Sequence, residues 1–118
     1  MVYNLNMRVI NLESGLPTSE MAMSRLNNQI FLVRSSRVSA AKIIHGYGSS
    51  GKGGVIKAAT LRQLRQYKQR GVIKDFCPGE KFGPFSEEGR RVVARLPELR
   101  KDSDWARSND GVTIILFK

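Results

Sequence analysis

Cysteine is almost missing from this 118-residue chain. Cys77 stands alone, so an internal disulfide and a cysteine-rich metal site are both excluded. No apolar run approaches the ~20 residues that a membrane-spanning helix needs. Residues 1–8 lack the positive segment and following apolar stretch of a secretory signal. These absences lead to the expectation of a cytoplasmic protein in a reducing compartment, with no membrane partner. Acidic residues are scarce as well: ten Asp and Glu face twenty Lys and Arg, for a net charge of +10. The shortage is concentrated between Lys52 and Lys74, where seven basic residues (Lys52, Lys57, Arg62, Arg65, Lys68, Arg70 and Lys74) meet no acidic one. A stripe of one sign favours a polyanionic partner over solubility alone.

What is present suffices for a single domain over residues 1–118, with 41% apolar residues to build a core. Residues 7–12 read as a strand. Thr18 and Ser19 then offer a hydroxyl cap to a helix whose apolar face is Ala22, Leu26, Ile30 and Val33. Residues 38–44 read as a second strand. A second helix over 55–70 carries the stripe Ile56, Thr60, Leu64 and Tyr67, with Gly71 as its C-cap. Residues 72–77 read as a third strand stopped by Pro78-Gly79, and residues 111–117 as a buried closing strand. Between them, 78–110 reads as an irregular insertion. It contains a short helix over 86–96, with Val92, Val93 and Leu96 inward, and then a polar loop around Trp105. The order predicts an α/β two-layer sandwich: a mixed four-stranded sheet, two main helices and a short extra helix before the last strand.

The most informative segment is 42–57. A short apolar run ends at His45, the only histidine. Gly46, Gly48, Gly51, Gly53 and Gly54 follow, with Lys52 among them, and then the basic helix begins. A strand, a glycine-rich turn and a helix start aim backbone N–H groups at a phosphate. Gly46-x4-Gly51-Lys52 meets most of the mononucleotide-binding pattern. Gly53, however, stands where a Ser or Thr must ligate Mg²⁺, which argues against nucleotide hydrolysis. The candidate nucleic-acid-binding residues are His45, Gly46, Tyr47, Gly48, Lys52, Gly53, Lys57, Arg62 and Arg65. Glycine N–H groups and cationic side chains would hold phosphates. Tyr47 would stack on a base or pack on the domain. His45 would touch a phosphate, act as a general acid or brace the turn.

His45-Gly46-Tyr47-Gly48, then Gly54-Val55-Ile56-Lys57 at a helix start, then Gly111-Val112-Thr113-Ile114-Ile115 resemble the small MutS-related (Smr) domain family over nearly the whole chain. That family has His-Gly-x-Gly followed by Gly-x-Leu-Arg as its second signature and Leu-Asp-x-His-Gly as its first. The first corresponds here to Ile10-Asn11-Leu12-Glu13-Ser14-Gly15, with Ala22 in the helix beyond it. The resemblance implies an α/β sandwich like the C-terminal domain of a bacterial translation initiation factor. It also implies DNA or RNA as partner, in some members on the ribosome, and an endonuclease as the alternative activity. The chain departs from the family at the residues linked to cleavage: Asn11 replaces the Asp, and Glu13 or Ser14 replaces the His. Asn11 cannot titrate, which leaves Glu13 and His45 as the catalytic candidates. A divalent metal enters only if the chain is a nuclease, and no metal ligands are assigned. A further reading is an adaptor that docks on a ribosome or a repair protein.

Overall fold

The computed structural model describes residues 7–15, 17–47 and 53–118. Strand β1 (Met7–Asn11), helix α1 (Ser19–Ser35), strand β2 (Ala40–Ile44) and helix α2 (Gly53–Gln69) lead into strand β3 (Asp75–Pro78), helix α3 (Glu87–Arg95) and strand β4 (Val112–Leu116). Short 3-10 turns at Gly79–Lys81 and Pro97–Lys101 flank α3. The strand order is β1-β2-β4-β3. β1 and β2 run parallel, while β4 runs antiparallel to both of its neighbours. The fold is the α/β arrangement on a mixed four-stranded sheet that the element order implies.

The two long helices bury the stripes that their periodicity marks. Thr18 caps α1, its hydroxyl accepting the Met21 N–H at 3.2 Å, and Glu20 favours the positive end of the helix. Ala22, Leu26, Ile30 and Val33 of α1 and Ile56, Thr60, Leu64 and Tyr67 of α2 are all buried. Thr60 would be a polar group lost to the core, but its hydroxyl donates to the Ile56 carbonyl at 2.7 Å. The Tyr67 hydroxyl donates to Asn27 Oδ1 at 2.8 Å and ties α2 to α1.

Alternation along the strands builds two cores, one on each face of the sheet. Ile10, Ile43 and Ile115 point into the layer of α1 and α2. Cys77, Ile114 and Leu116 point the other way, onto Phe82, Val92, Val93 and Leu99 from α3 and its flanks. β4 is therefore buried along its whole length. Trp105 packs edge-on against Phe82, with ring centroids 5.0 Å apart, which makes it an anchor of its loop. Cys77 is buried, and that burial pushes its thiol up to about 12.

Two strands start later than their apolar runs suggest. Val72 and Ile73 are buried but not paired in the sheet. Both N–H groups donate to the Tyr67 carbonyl, at 2.9 and 3.4 Å, so they close the end of α2 after Gly71, whose φ is +76°. β3 begins only at Asp75. Likewise β2 begins at Ala40, because Arg37 adopts a φ of +63° as the chain leaves α1.

Two charged clusters hold the second face in place. Asp75 is 4% exposed and accepts from Arg91 Nε at 2.6 Å and Lys68 Nζ at 3.0 Å, joining β3 to α3 and α2. Burial raises its pKa, but the Arg91 and Lys68 hydrogen bonds outweigh that and leave it below the usual carboxylate value. Lys42, in the central strand β2, reaches Asp102 at 2.8 Å and Asp104 at 2.5 Å. Burial alone would lower the Lys42 pKa, and the two carboxylates reverse the sign. This lysine fastens the 102–110 segment to the sheet.

Candidate functional site

β1, β2 and β3 all end at the same edge of the sheet, and β4 begins there. Four connections converge on that edge. The first follows β1. Asn11 Oδ1 accepts the N–H groups of Glu13 and Ser14 at 2.9 and 3.0 Å, and Arg25 Nη1 donates to the Ser14 carbonyl at 2.8 Å. Asn11 thus spends its polarity on shaping a turn. That turn lays the Glu13 carboxylate over Gly46. A Cβ at Gly46 would meet Glu13 Cδ and Oε1 at 3.2 Å, and Gly46 has a φ of +85°, so the position favours glycine on two grounds.

The second connection is the His45 turn. The N–H groups of His45 and Gly46 both donate to the Gly111 carbonyl at 3.0 Å. The His45 side chain is 0% exposed. Its Nδ1 lies 3.0 Å from the Gly46 carbonyl and its Nε2 lies 2.8 Å from Thr113 Oγ1. A carbonyl only accepts, which puts the hydrogen on Nδ1 and leaves Nε2 to accept from the Thr113 hydroxyl. Burial lowers the His45 pKa, as does the charge of Lys57. The Gly46 carbonyl, Glu80 and Asp110 act in the opposite sense. The ring is a neutral internal brace with both nitrogens engaged by the protein.

Tyr47 is 62% exposed. Its ring lies over Gly111, where a Cβ would come within 3.0 Å of the ring edge. Glu13, Tyr47, Lys42 and Asp104 line a groove of about 390 Å³ beside it. Gly48 and Lys52, with Gly51 between them, lie outside the described residues. Gly53 is the first residue of α2. α2 has no acidic residue in its first turn, whereas α1 has Glu20 and α3 has Glu87 and Glu88.

The cations of α2 divide into two sets. Lys57 Nζ donates to both carboxylate oxygens of Glu80, at 2.9 and 2.8 Å, and Lys68 is held by Asp75. Arg62 and Arg65 are exposed, and among the described residues the ion pairs of α2 are those of Lys57 and Lys68. Reading the chain alone missed Thr113 as the partner of His45 and Glu80 as the partner of Lys57. They lie 68 and 23 residues away, beyond any local pattern.

No protein-family model matches the chain, and no curated protein matches its sequence. Its fold is similar to the crystal structure of the Smr domain of Thermus thermophilus MutS2. The TM-score is 0.53 at 18% identity, over 96% of this chain and 98% of that one. The chain has an Smr-like fold. Among the described residues no helix is long and apolar enough to cross a membrane.

Proposed function

We propose that this Smr-like domain binds nucleic acid, holding DNA or RNA phosphates on the glycine-rich turn after His45 and on the outer face of α2. The observation that carries the reading is the pair Arg62 and Arg65, exposed and, among the described residues, without carboxylate partners on the helix that starts behind that turn. The α2 N-terminus adds the N–H groups of a first helical turn and the positive end of a helix dipole, with no acidic residue of its own in that turn. Lys52 would add charge at the turn, and Tyr47 an exposed ring for a base or ribose. His45 acts by holding the turn through Gly46 and Thr113, as a positioning residue. The test is a titration of labelled DNA and RNA between about 50 and 200 mM salt, where phosphate binding loses affinity steeply as counterions are released. Arg62→Ala with Arg65→Ala weakens binding and flattens the slope of log affinity against log salt by about 1.4 to 1.8. A double variant that matches wild type in both would sink the reading.

Glu13, laid over Gly46, favours a second reading: a phosphodiesterase with Glu13 as its base. Among the described residues no three His, Cys, Asp or Glu side chains come together, so the protein offers no pre-built metal cage and Glu13 would act on its own. Cleavage of RNA or DNA that persists in Glu13→Gln would remove this reading, while cleavage lost with binding kept would establish it.

A further inference from the structure

Phe85 is 97% exposed. A phenyl ring in water forgoes the burial that normally places this side chain inside. The ring does not sit on a loose loop. Arg90 Nη1 donates to the Pro84 carbonyl at 3.1 Å. The Ser86 hydroxyl donates to the Lys81 carbonyl and accepts the Gly89 N–H, the latter at 2.8 Å. The Ala106 N–H donates to the Phe82 carbonyl at 2.8 Å. The backbone on both sides of Phe85 is fixed, and its ring is held out with both faces free.

The surroundings indicate what the ring meets. A groove of about 400 Å³ runs beside Phe85, between Lys81 and Ser108. It shares Glu80 and Lys81 with a larger groove of about 630 Å³ that continues to Arg65 and Lys68 on α2. In the other direction, residues 106–111 lead from the Phe82 contact to Gly111, under the Tyr47 ring. Five Cα steps span at most about 18 Å. Arg107 is exposed on this segment between Ala106 and Ser108, which have φ of +59° and +53°. Such values are strained for residues with a Cβ and concentrate where a segment has a task. Phe85, Arg107 and Tyr47 thus lie along one rim of the sheet, and the grooves beside Phe85 lead to the exposed Arg65 on α2.

We infer that Phe85 is a base-stacking platform for single-stranded nucleic acid, so that a strand with its phosphates along α2 places an unpaired base on this ring. The inference rests on the nucleic-acid reading above and narrows it to single strands. In a duplex the bases are already stacked and paired, and a protruding ring reaches a base face only by unstacking a step, at a cost in free energy. The groove is lined by charged side chains, the exposed Arg65 among them, and suits a charged strand better than an apolar protein surface.

The test uses labelled single-stranded DNA and RNA of roughly 12 nucleotides, within the site sizes such grooves take, and a duplex of the same length. Phe85→Ala is expected to weaken single-strand binding roughly tenfold, the loss of one stack, with the salt slope unchanged because no phosphate contact is lost. Phe85→Trp is expected to bind at least as tightly as wild type, and duplex binding is expected to stay the same in all variants. An unchanged melting temperature in Phe85→Ala confirms that the fold is intact. Single-strand affinity unchanged in Phe85→Ala, but lowered in Arg62→Ala with Arg65→Ala, removes this inference and leaves the nucleic-acid reading standing. Full affinity in Phe85→Leu also overturns it, because an apolar contact of the kind a protein partner makes would then suffice. Wild type that binds neither single strand brings down the nucleic-acid reading and this inference with it.

Discussion

Helices α2 and α3 both carry several basic residues, yet they use that charge in different ways. α3 opens with Glu87 and Glu88, is capped by Ser86, and sends Arg91 to Asp75, while Glu88 takes Lys81 from the preceding turn. Much of its charge is consumed within the domain. α2 opens without an acidic residue and leaves Arg62 and Arg65 in solvent. The difference teaches that a count of basic residues does not measure what a partner can reach. Partnering does, and partnering is decided by which carboxylates the fold brings within about 4 Å.

The contrast breaks most strongly at Asp75, where the two helices meet. Asp75→Asn is expected to destabilise the domain by about 2 kcal/mol. That is below the range for a fully buried pair, because Lys68 and Arg91 are each more than a third exposed. A thermal melt reads the loss. The sign with pH follows from the lowered pKa of Asp75. Its contribution is complete above the unfolded value near ~3.9 and is lost as pH falls through the folded value. Acid unfolding of Asp75→Asn should therefore start from lower stability and depend less on pH in that window. A smaller effect separates the helices by function. Arg91→Ala is expected to cost about 1 kcal/mol of stability, discounted for its 41% exposed side chain, and to leave nucleic-acid affinity alone. Arg62→Ala should do the reverse, within about 0.5 kcal/mol of wild-type stability but with weaker binding. Equal effects of the two on binding would erase the comparison. The smallest expected effect tests Lys57. Glu80→Gln releases it, and affinity should rise a few-fold while the salt slope steepens by about 0.7 to 0.9 for one more phosphate contact. Unchanged affinity would take Lys57 off the binding path.

The parts of this fold legible in the sequence are those written in local periodicity. Ala22, Leu26, Ile30 and Val33, and Ile56 to Tyr67, repeat at helical spacing and are buried as that spacing requires. The third strand starts later than its apolar run predicts: Val72 and Ile73 are β-branched, yet the Tyr67 carbonyl holds both of them in a turn. The glycine turn could be seen, but the direction of the His45 ring could not, since it depends on Thr113 in the last strand. Lys42 looks out of place in an apolar strand until Asp102 and Asp104 arrive sixty residues later. Phe85 lies in the stretch that the sequence shows only as irregular, and no local pattern there marks a ring held out in solvent.

Cys77 gives the second face of the sheet an internal clock. It is the only cysteine in the chain, it lies under α3, and its thiol stays protonated in the folded domain. Alkylating reagents need the thiolate and a path to it, so each labelling event records an opening, local or global, that uncovers the α3 face of the sheet. Where labelling outpaces global unfolding, the excess times the breathing of that layer without a probe being added.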